Sequence, residues 1–309
     1  MSTLVEARNL GRFYGDVVGV SDVTVSIPTG VVGLLGPNGA GKSTFLKLLV
    51  GELRPSRGSI QVLGHEPFGN RDLYERLGFC PQQDALYAEM TGFEFVAFLT
   101  RLAGYSRSDA EVRAVRALER VSLSDAAHQK TRGYSKGMRQ RVKIAQAIAH
   151  EPELIVLDEP MTGLDPIARR DVVRLFTELA GEGASIVLSS HVLHEVEALT
   201  KDIVLLHRGR LLAQGAVHEV RALLSSHPRK IEIKARESRR LARALLAVEG
   251  VSSVKLSRDG HVLLETSDIA RFERDFAAIA VAERAGIESY EAIDAGLEAV
   301  FDYLVEASA

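Results

Sequence analysis

"VVGLLGPNGAGKSTFLKLLVG" occupies residues 31–51 and reads as three pieces joined without a gap. Residues 31–36 (VVGLLG) are a short, wholly apolar run, the pattern of a strand buried on both faces. Residues 44–51 read as a helix. Between them Gly36, Pro37, Asn38, Gly39, Ala40, Gly41, Lys42, Ser43 and Thr44 match G-x-x-x-x-G-K-[ST], in the strand–loop–helix setting that this phosphate-binding loop requires. The glycines let backbone N–H groups wrap a chain of phosphates, and the helix N-terminus adds a favourable dipole. Lys42 is then placed to reach the β- and γ-phosphates of a nucleotide, and the Ser43 hydroxyl to ligate Mg²⁺.

Working outward, residues 154–160 (LIVLDEP), 184–190 (ASIVLSS) and 202–209 (DIVLLHRG) are apolar runs of the same kind with helical patterns between them. The expected frame is therefore α/β with a mostly parallel sheet. Residues 1–30 alternate apolar and polar around turn residues and read as antiparallel strands. Residues 84–130 read as helical throughout. Thr91 with Glu94 and Ser108 with Glu111 each fit a capping box, so a helical insertion of about 84–150 is expected inside the α/β domain. A break near Ser225-Ser-His-Pro228 separates residues 1–227 from 228–309. The second part reads β-α-β-β-α-β, the split βαβ (ferredoxin-like) order of a small α+β domain. A closing helix follows, with Leu297, Val300, Phe301 and Leu304 on one face.

The apolar run at 154–157 ends in Asp158-Glu159. Beside a phosphate-binding loop, Asp158 is suited to hold Mg²⁺ and Glu159 to polarise an attacking water. A 46% hydrophobic and 26% charged composition is that of a folded globular chain. The net charge of −3 gives no attraction for a polyanion, so no nucleic-acid partner is expected. One cysteine, Cys80, excludes an intrachain disulfide and fits a reducing compartment. No run approaches the ~20 apolar residues of a membrane helix, and the N-terminus lacks the pattern of a signal peptide.

With the loop and the carboxylate pair in place, residues 4 to about 225 resemble the ATP-binding cassette (ABC) ATPases, and further motifs fall in that family's order. The resemblance implies an ATP- and Mg²⁺-dependent ATPase. Tyr14, in RFYGD, looks like the aromatic that stacks on adenine. Gln82, in CPQQD, looks like the glutamine that touches Mg²⁺ or the attacking water, with Gln83 as the alternative in register. Asp165, in GLD, resembles the residue at the dimer seam, and His191, in LSSHVLHEVE, the histidine that contacts the γ-phosphate. Tyr134-Ser135-Lys136-Gly137-Met138 stands where the family signature, usually written LSGGQ, is found. In the family this stretch closes over the γ-phosphate held by the other subunit, so Ser135, Lys136, Gly137 and Asp165 are expected to act in trans. The sequence departs from that pattern at Tyr134, Lys136 and Met138, and Met138 cannot make the polar contact of a glutamine.

The resemblance also implies partners: a second ATP-binding subunit, identical or not, and separate integral-membrane permease subunits. The chain would then lie on the cytoplasmic, inner face of the cell membrane. The YSKGM signature and the short C-terminal domain are most like ATPases of ABC-2 type exporters. The alternative is a soluble ABC ATPase acting on nucleic acid or the ribosome, although neither a coiled-coil insertion nor a second cassette is present. Family members receive the permease's coupling helix at the segment matching residues 84–99. Tyr87, Phe93, Phe95 and Phe98 exceed what one helix face buries, so at least one is expected to be exposed.

Overall fold

The computed structural model describes residues 3–84, 86–222 and 229–293, which group into two compact units, Met1–Ala216 and Val217–Ala309. The first opens with β1 (Thr3–Tyr14) and β2 (Val17–Pro28), antiparallel neighbours in register from Thr3↔Pro28 to Tyr14↔Val17. Next come β3 (Val31–Leu35), α1 (Lys42–Leu49) and β4 (Arg57–Val62), which pairs with β1 to complete a three-stranded antiparallel sheet. Then follow α2 (Arg71–Tyr74), β5 (Leu77–Cys80), α3 (Gly92–Leu102), α4 (Arg107–Arg120) and α5 (Lys136–Ile148). The unit closes with β6 (Leu154–Leu157), α6 (Pro166–Gly181), β7 (Ser185–Ser190), α7 (Leu193–Glu197), β8 (Asp202–His207) and β9 (Arg210–Ala216).

The second sheet runs β5-β6-β7-β3-β8-β9, parallel throughout except for β8 with β9. β6 and β7 are buried at every residue, as the continuous apolar runs predict. Phe45, Leu46, Leu48 and Leu49 of α1 join one core with Val32 and Leu34 of β3 and with Leu10, Val23, Ile27 and Ile60 of the antiparallel sheet. The helix that starts at the phosphate loop is thereby locked between two sheets. Register places the chemistry. Leu35 lies level with Ser190, and Cys80 and Leu188 lie level with Leu157. The segments leaving β3, β5, β6 and β7 therefore emerge at one edge, the carboxyl ends at which open α/β sheets bind ligands.

The helical insertion differs from the sequence reading in two respects. Residue 84 and residues 86–91 are not helical; the first helix begins at Gly92, where Thr91 and Glu94 form the expected capping box. The second begins at Arg107, capped by Ser106, whose Oγ accepts the Asp109 N–H at 3.1 Å. Ser108 thus lies inside the first turn, and Glu111 pairs with Arg107 at 2.9 Å instead of closing a capping box. Two candidate caps two residues apart compete here, and the one that prevails is Ser106, whose Oγ accepts the Asp109 N–H and donates to the Asp109 carboxylate at 2.6 Å.

In the second unit, α8 (Val217–Ala222) precedes β10 (Arg229–Ala235), α9 (Ser238–Leu245), β11 (Val251–Leu256), β12 (Val262–Thr266), α10 (Ile269–Ala282) and β13 (Ile287–Ala292). The strand order β11-β12-β10-β13, antiparallel at every pair, is the split βαβ arrangement. Ile231, Ile233, Val262 and Leu264 of the sheet pack on Leu241, Leu245 and Phe272 of the two helices. The structure divides its units between Ala216 and Val217, whereas the sequence reading put the break at 227/228. Residues 225–228 and the closing helix expected after Ile293 lie outside the described residues. Among the described residues no helix is long and apolar enough to cross a membrane.

Candidate functional site

Two glycines explain why the phosphate loop needs bare backbone. Gly36 has φ 151° and Gly41 φ 100°, both in the region that disfavours a side chain. A Cβ on Gly36 would run into the carbonyl of Leu206, and one on Gly41 into the carbonyl of Gly19. The loop so formed wraps Lys42, which is 6% exposed and whose Nζ donates to the carbonyls of Gly36 at 2.7 Å and Pro37 at 3.2 Å. Gly19 also brings in the aromatic: it sits against both Thr44 and the ring of Tyr14. That ring is 43% exposed beneath the Arg12 guanidinium, 5.1 Å from its centroid, so Tyr14 is a surface aromatic at a strand end and not part of the core.

The carboxylates enter from β6. Asp158 is buried, and Ser189 Oγ donates to its Oδ1 at 2.6 Å. The same Ser189 oxygen accepts the backbone N–H of Glu159 at 2.9 Å. Glu159, with φ 52°, aims its carboxylate across the strand ends: Oε1 lies 3.5 Å from Lys42 Nζ and Oε2 2.7 Å from His191 Nδ1. The carboxylate accepts, so that imidazole contact runs through Nδ1–H. Lys42, Asp158, Glu159 and His191, spread over 150 residues of sequence, thus share one cluster. Among the described residues no group of three or more His, Cys, Asp or Glu could hold a metal ion.

The remaining predicted residues lie on the rims. Gln82 is exposed in the turn after β5, one residue beyond the level of Asp158. Ser135 is the N-cap of α5; its Oγ accepts the Met138 N–H at 3.2 Å, which leaves its own O–H free to donate outward. The stem of Lys136 lies against Gly163. Tyr134 is buried, and its OH donates to the Ala126 carbonyl at 2.7 Å, anchoring the signature to the helical insertion. Asp165 caps α6; N–H bonds from Ala168 and Ile167 hold its carboxyl below the usual range. Cys80, buried beside these groups, has its thiol pushed up to about 12 by burial and is inert.

Two residues escaped the sequence reading. Ser189 was visible only as a polar residue ending an apolar strand, and Lys143 only as a lone cation amid Val142, Ile144 and Ala145 on α5. Lys143 is buried and bonds the turn that carries Gln82.

An α/β sheet with a phosphate loop after its central strand, and a strand-end acidic pair whose Glu159 bridges the loop's lysine and a histidine, defines a P-loop nucleotide-binding ATPase cassette. The family model described as ABC transporter matches residues 20–162, and the daunorubicin/doxorubicin resistance ATP-binding protein DrrA of Streptomyces peucetius is 32% identical over 301 residues, covering 96% of this chain and 91% of DrrA. The chain belongs to the ATP-binding proteins of ABC transporters. It is also 40% identical over 190 residues to the ABC transporter ATP-binding protein YxlF of Bacillus subtilis (strain 168), a match spanning 62% of this chain and 63%, less than two thirds, of that relative. A solved ATP-binding subunit of an ABC transporter superposes with a TM-score of 0.66 at 33% identity, covering 72% of this chain and 93% of that one.

Proposed function

We propose that the chain is the ATP-hydrolysing subunit of an ABC-2 type exporter, which dimerises on MgATP to drive separate permease subunits from the cytoplasmic face of the membrane. The observation that carries this reading is the single cluster of Lys42, Glu159 and His191 at the phosphate loop. Lys42 exchanges its two loop carbonyls for β- and γ-phosphate oxygens. Glu159 takes the proton of the attacking water, and His191, held at Glu159 through Nδ1, is directed at the γ-phosphate. Tyr14 stacks on the adenine.

The donor set fits Mg²⁺. The Ser43 hydroxyl, the Asp158 carboxylate and the Gln82 amide are hard oxygen ligands, and Mg²⁺ is ordinarily held by one or two carboxylates together with substrate phosphates rather than by an all-protein cage. The ion, when bound, neutralises the charge developing on the phosphates. Ser135, Lys136 and Gly137 complete the partner subunit's site, with Asp165 at the seam, and by symmetry the partner completes this one.

The permease contact is assigned to the groove lined by Tyr74, Phe79, Tyr87, Phe95, Leu99 and Leu102, a mostly apolar cavity of about 460 Å³. Tyr87 is 57% exposed and Phe98 beside it 39%, whereas Phe95 is buried and Phe93 half-buried against His128. Exposed aromatics around a concave surface suit an inserted helix. The exporter class follows DrrA, named for drug resistance. Phosphate release by the purified chain in MgATP, and by Glu159→Gln, tests the proposal: the variant should bind ATP and turn it over at least about 100-fold more slowly. Wild-type turnover in Glu159→Gln would remove the base from the mechanism. Sedimentation of the chain with vesicles that contain the permease, but not with bare lipid, tests the partner.

A further inference from the structure

We infer that Lys143 is a positioning residue that shapes the turn presenting Gln82 and ties it, through α5, to the signature at Ser135. The inference rests on the assignments of Gln82 and Ser135 proposed above. Lys143 lies in mid-helix with its side chain 3% exposed. Its Nζ donates to three consecutive carbonyls, Pro81 at 3.1 Å, Gln82 at 3.0 Å and Gln83 at 3.4 Å, and stands 3.3 Å from Asp84 Oδ1. Arg139, one turn earlier on the same helix, lies 3.8 Å from the other Asp84 oxygen. Residues 81–84 therefore curl around one cation. A lysine this deeply buried must be matched by acceptors, and nearly all of these belong to the turn's own backbone, so removing the cation releases the turn.

The contact continues a pattern. β5 is the edge strand of the six-stranded sheet. On its open side the Phe79 carbonyl accepts from Gln146 Nε2 at 2.5 Å, and the Leu77 carbonyl bonds His150 Nε2 at 3.1 Å. Positions 143, 146 and 150 fall on one face of a helix. The side chains of this segment thus stand in for a missing strand, and Lys143 carries the ladder past the end of β5 into the turn. Ser135 begins the same helix eight positions earlier, about 12 Å away at 1.5 Å per residue. A tilt of α5 moves Ser135 and the 81–84 turn as one body. In the dimer Ser135 reads the partner's nucleotide while Gln82 attends this chain's own, so Lys143 makes each site sense the other.

The test uses the full chain with Lys143→Met and Lys143→Arg. In Lys143→Met, hydrogen exchange should quicken in peptides covering 82–84 while protection across 136–148 is kept. Its kcat should fall about 10- to 100-fold, the scale of a small misplacement of a catalytic group, with KM for ATP little changed and the Hill coefficient for ATP falling toward unity. Gln82→Ala should cost nothing further in that background, because Lys143 acts through Gln82. Lys143→Arg, which keeps the cation, should recover exchange protection and part of kcat. Unchanged exchange at 82–84, or losses from Lys143→Met and Gln82→Ala that simply multiply, would overturn the inference. If Gln82→Ala alone leaves kcat untouched, the assignment of Gln82 fails, and exchange and the Hill coefficient still decide the role of Lys143.

Discussion

Glu159 occupies the left-handed region with φ 52°, a conformation that costs a non-glycine residue about 1–3 kcal/mol and persists only where its surroundings enforce it. Ser189 is the enforcing group, accepting the Glu159 N–H and donating to Asp158. Ser189→Ala leaves a buried N–H unpaired, so it should lower stability by about 1–3 kcal/mol and reduce kcat by letting the carboxylate wander. Urea unfolding alongside steady-state hydrolysis measures both, and an unchanged unfolding midpoint would deny Ser189 this part. Lys42→Ala should abolish hydrolysis while circular dichroism shows the fold intact, and retained turnover would unseat the phosphate loop. The sequence disclosed Lys42 and Glu159 because nucleotide chemistry dictates both residue type and spacing. It concealed Ser189, whose role exists only once β6 and β7 lie in register.

At the scale of elements, the helix that follows the signature is where sequence and structure part most. The sequence placed this helix only within an insertion of about 84–150, and the polar residues Gln140, Lys143 and Gln146 of α5, with His150 just past its end, acquire meaning only against the open edge of β5. Burial pushes the His150 imidazole below its ordinary 6.5, so the folded chain resists protonation there. The unfolded imidazole takes up a proton as pH drops past that value and the folded one does not. The contribution of His150 is therefore present above about pH 6.5 and lost as pH falls through the depressed folded value. His150→Gln preserves a donor for the Leu77 carbonyl without the titration. Its melting temperature should fall less than that of the wild type between pH 7 and pH 5, and parallel declines would exclude His150 as the source. The cap exchanged from Ser108 to Ser106 shows the same limit on a smaller scale, since two serines two residues apart look alike until the helix chooses its first turn.

In the whole molecule, the α/β cassette and the split βαβ unit were both legible, because parallel strands declare themselves as apolar runs and the C-terminal unit by its β-α-β-β-α-β order. The proposed completion of the site by a second chain is a different matter, since a lone sequence holds each half without their pairing. The signature and the phosphate loop can be tested as halves of separate sites. Ser135→Arg sets bulk and positive charge beside Lys136 at the helix start, and Lys42→Ala empties the loop of its cation. Each variant alone yields a dimer in which both sites carry one lesion, so each should be inactive. A mixed dimer gathers both lesions into one site and leaves the other whole. Equal mixing gives half of the dimers this form with one of two sites intact, hence up to about a quarter of wild-type hydrolysis, and less to the extent that the two sites are coupled. Mass photometry of the same variants in the Glu159→Gln background should show MgATP-dependent dimers returning on mixing. If activity and dimer do not return, the two motifs serve one chain, and Ser135 is a helix cap and nothing more.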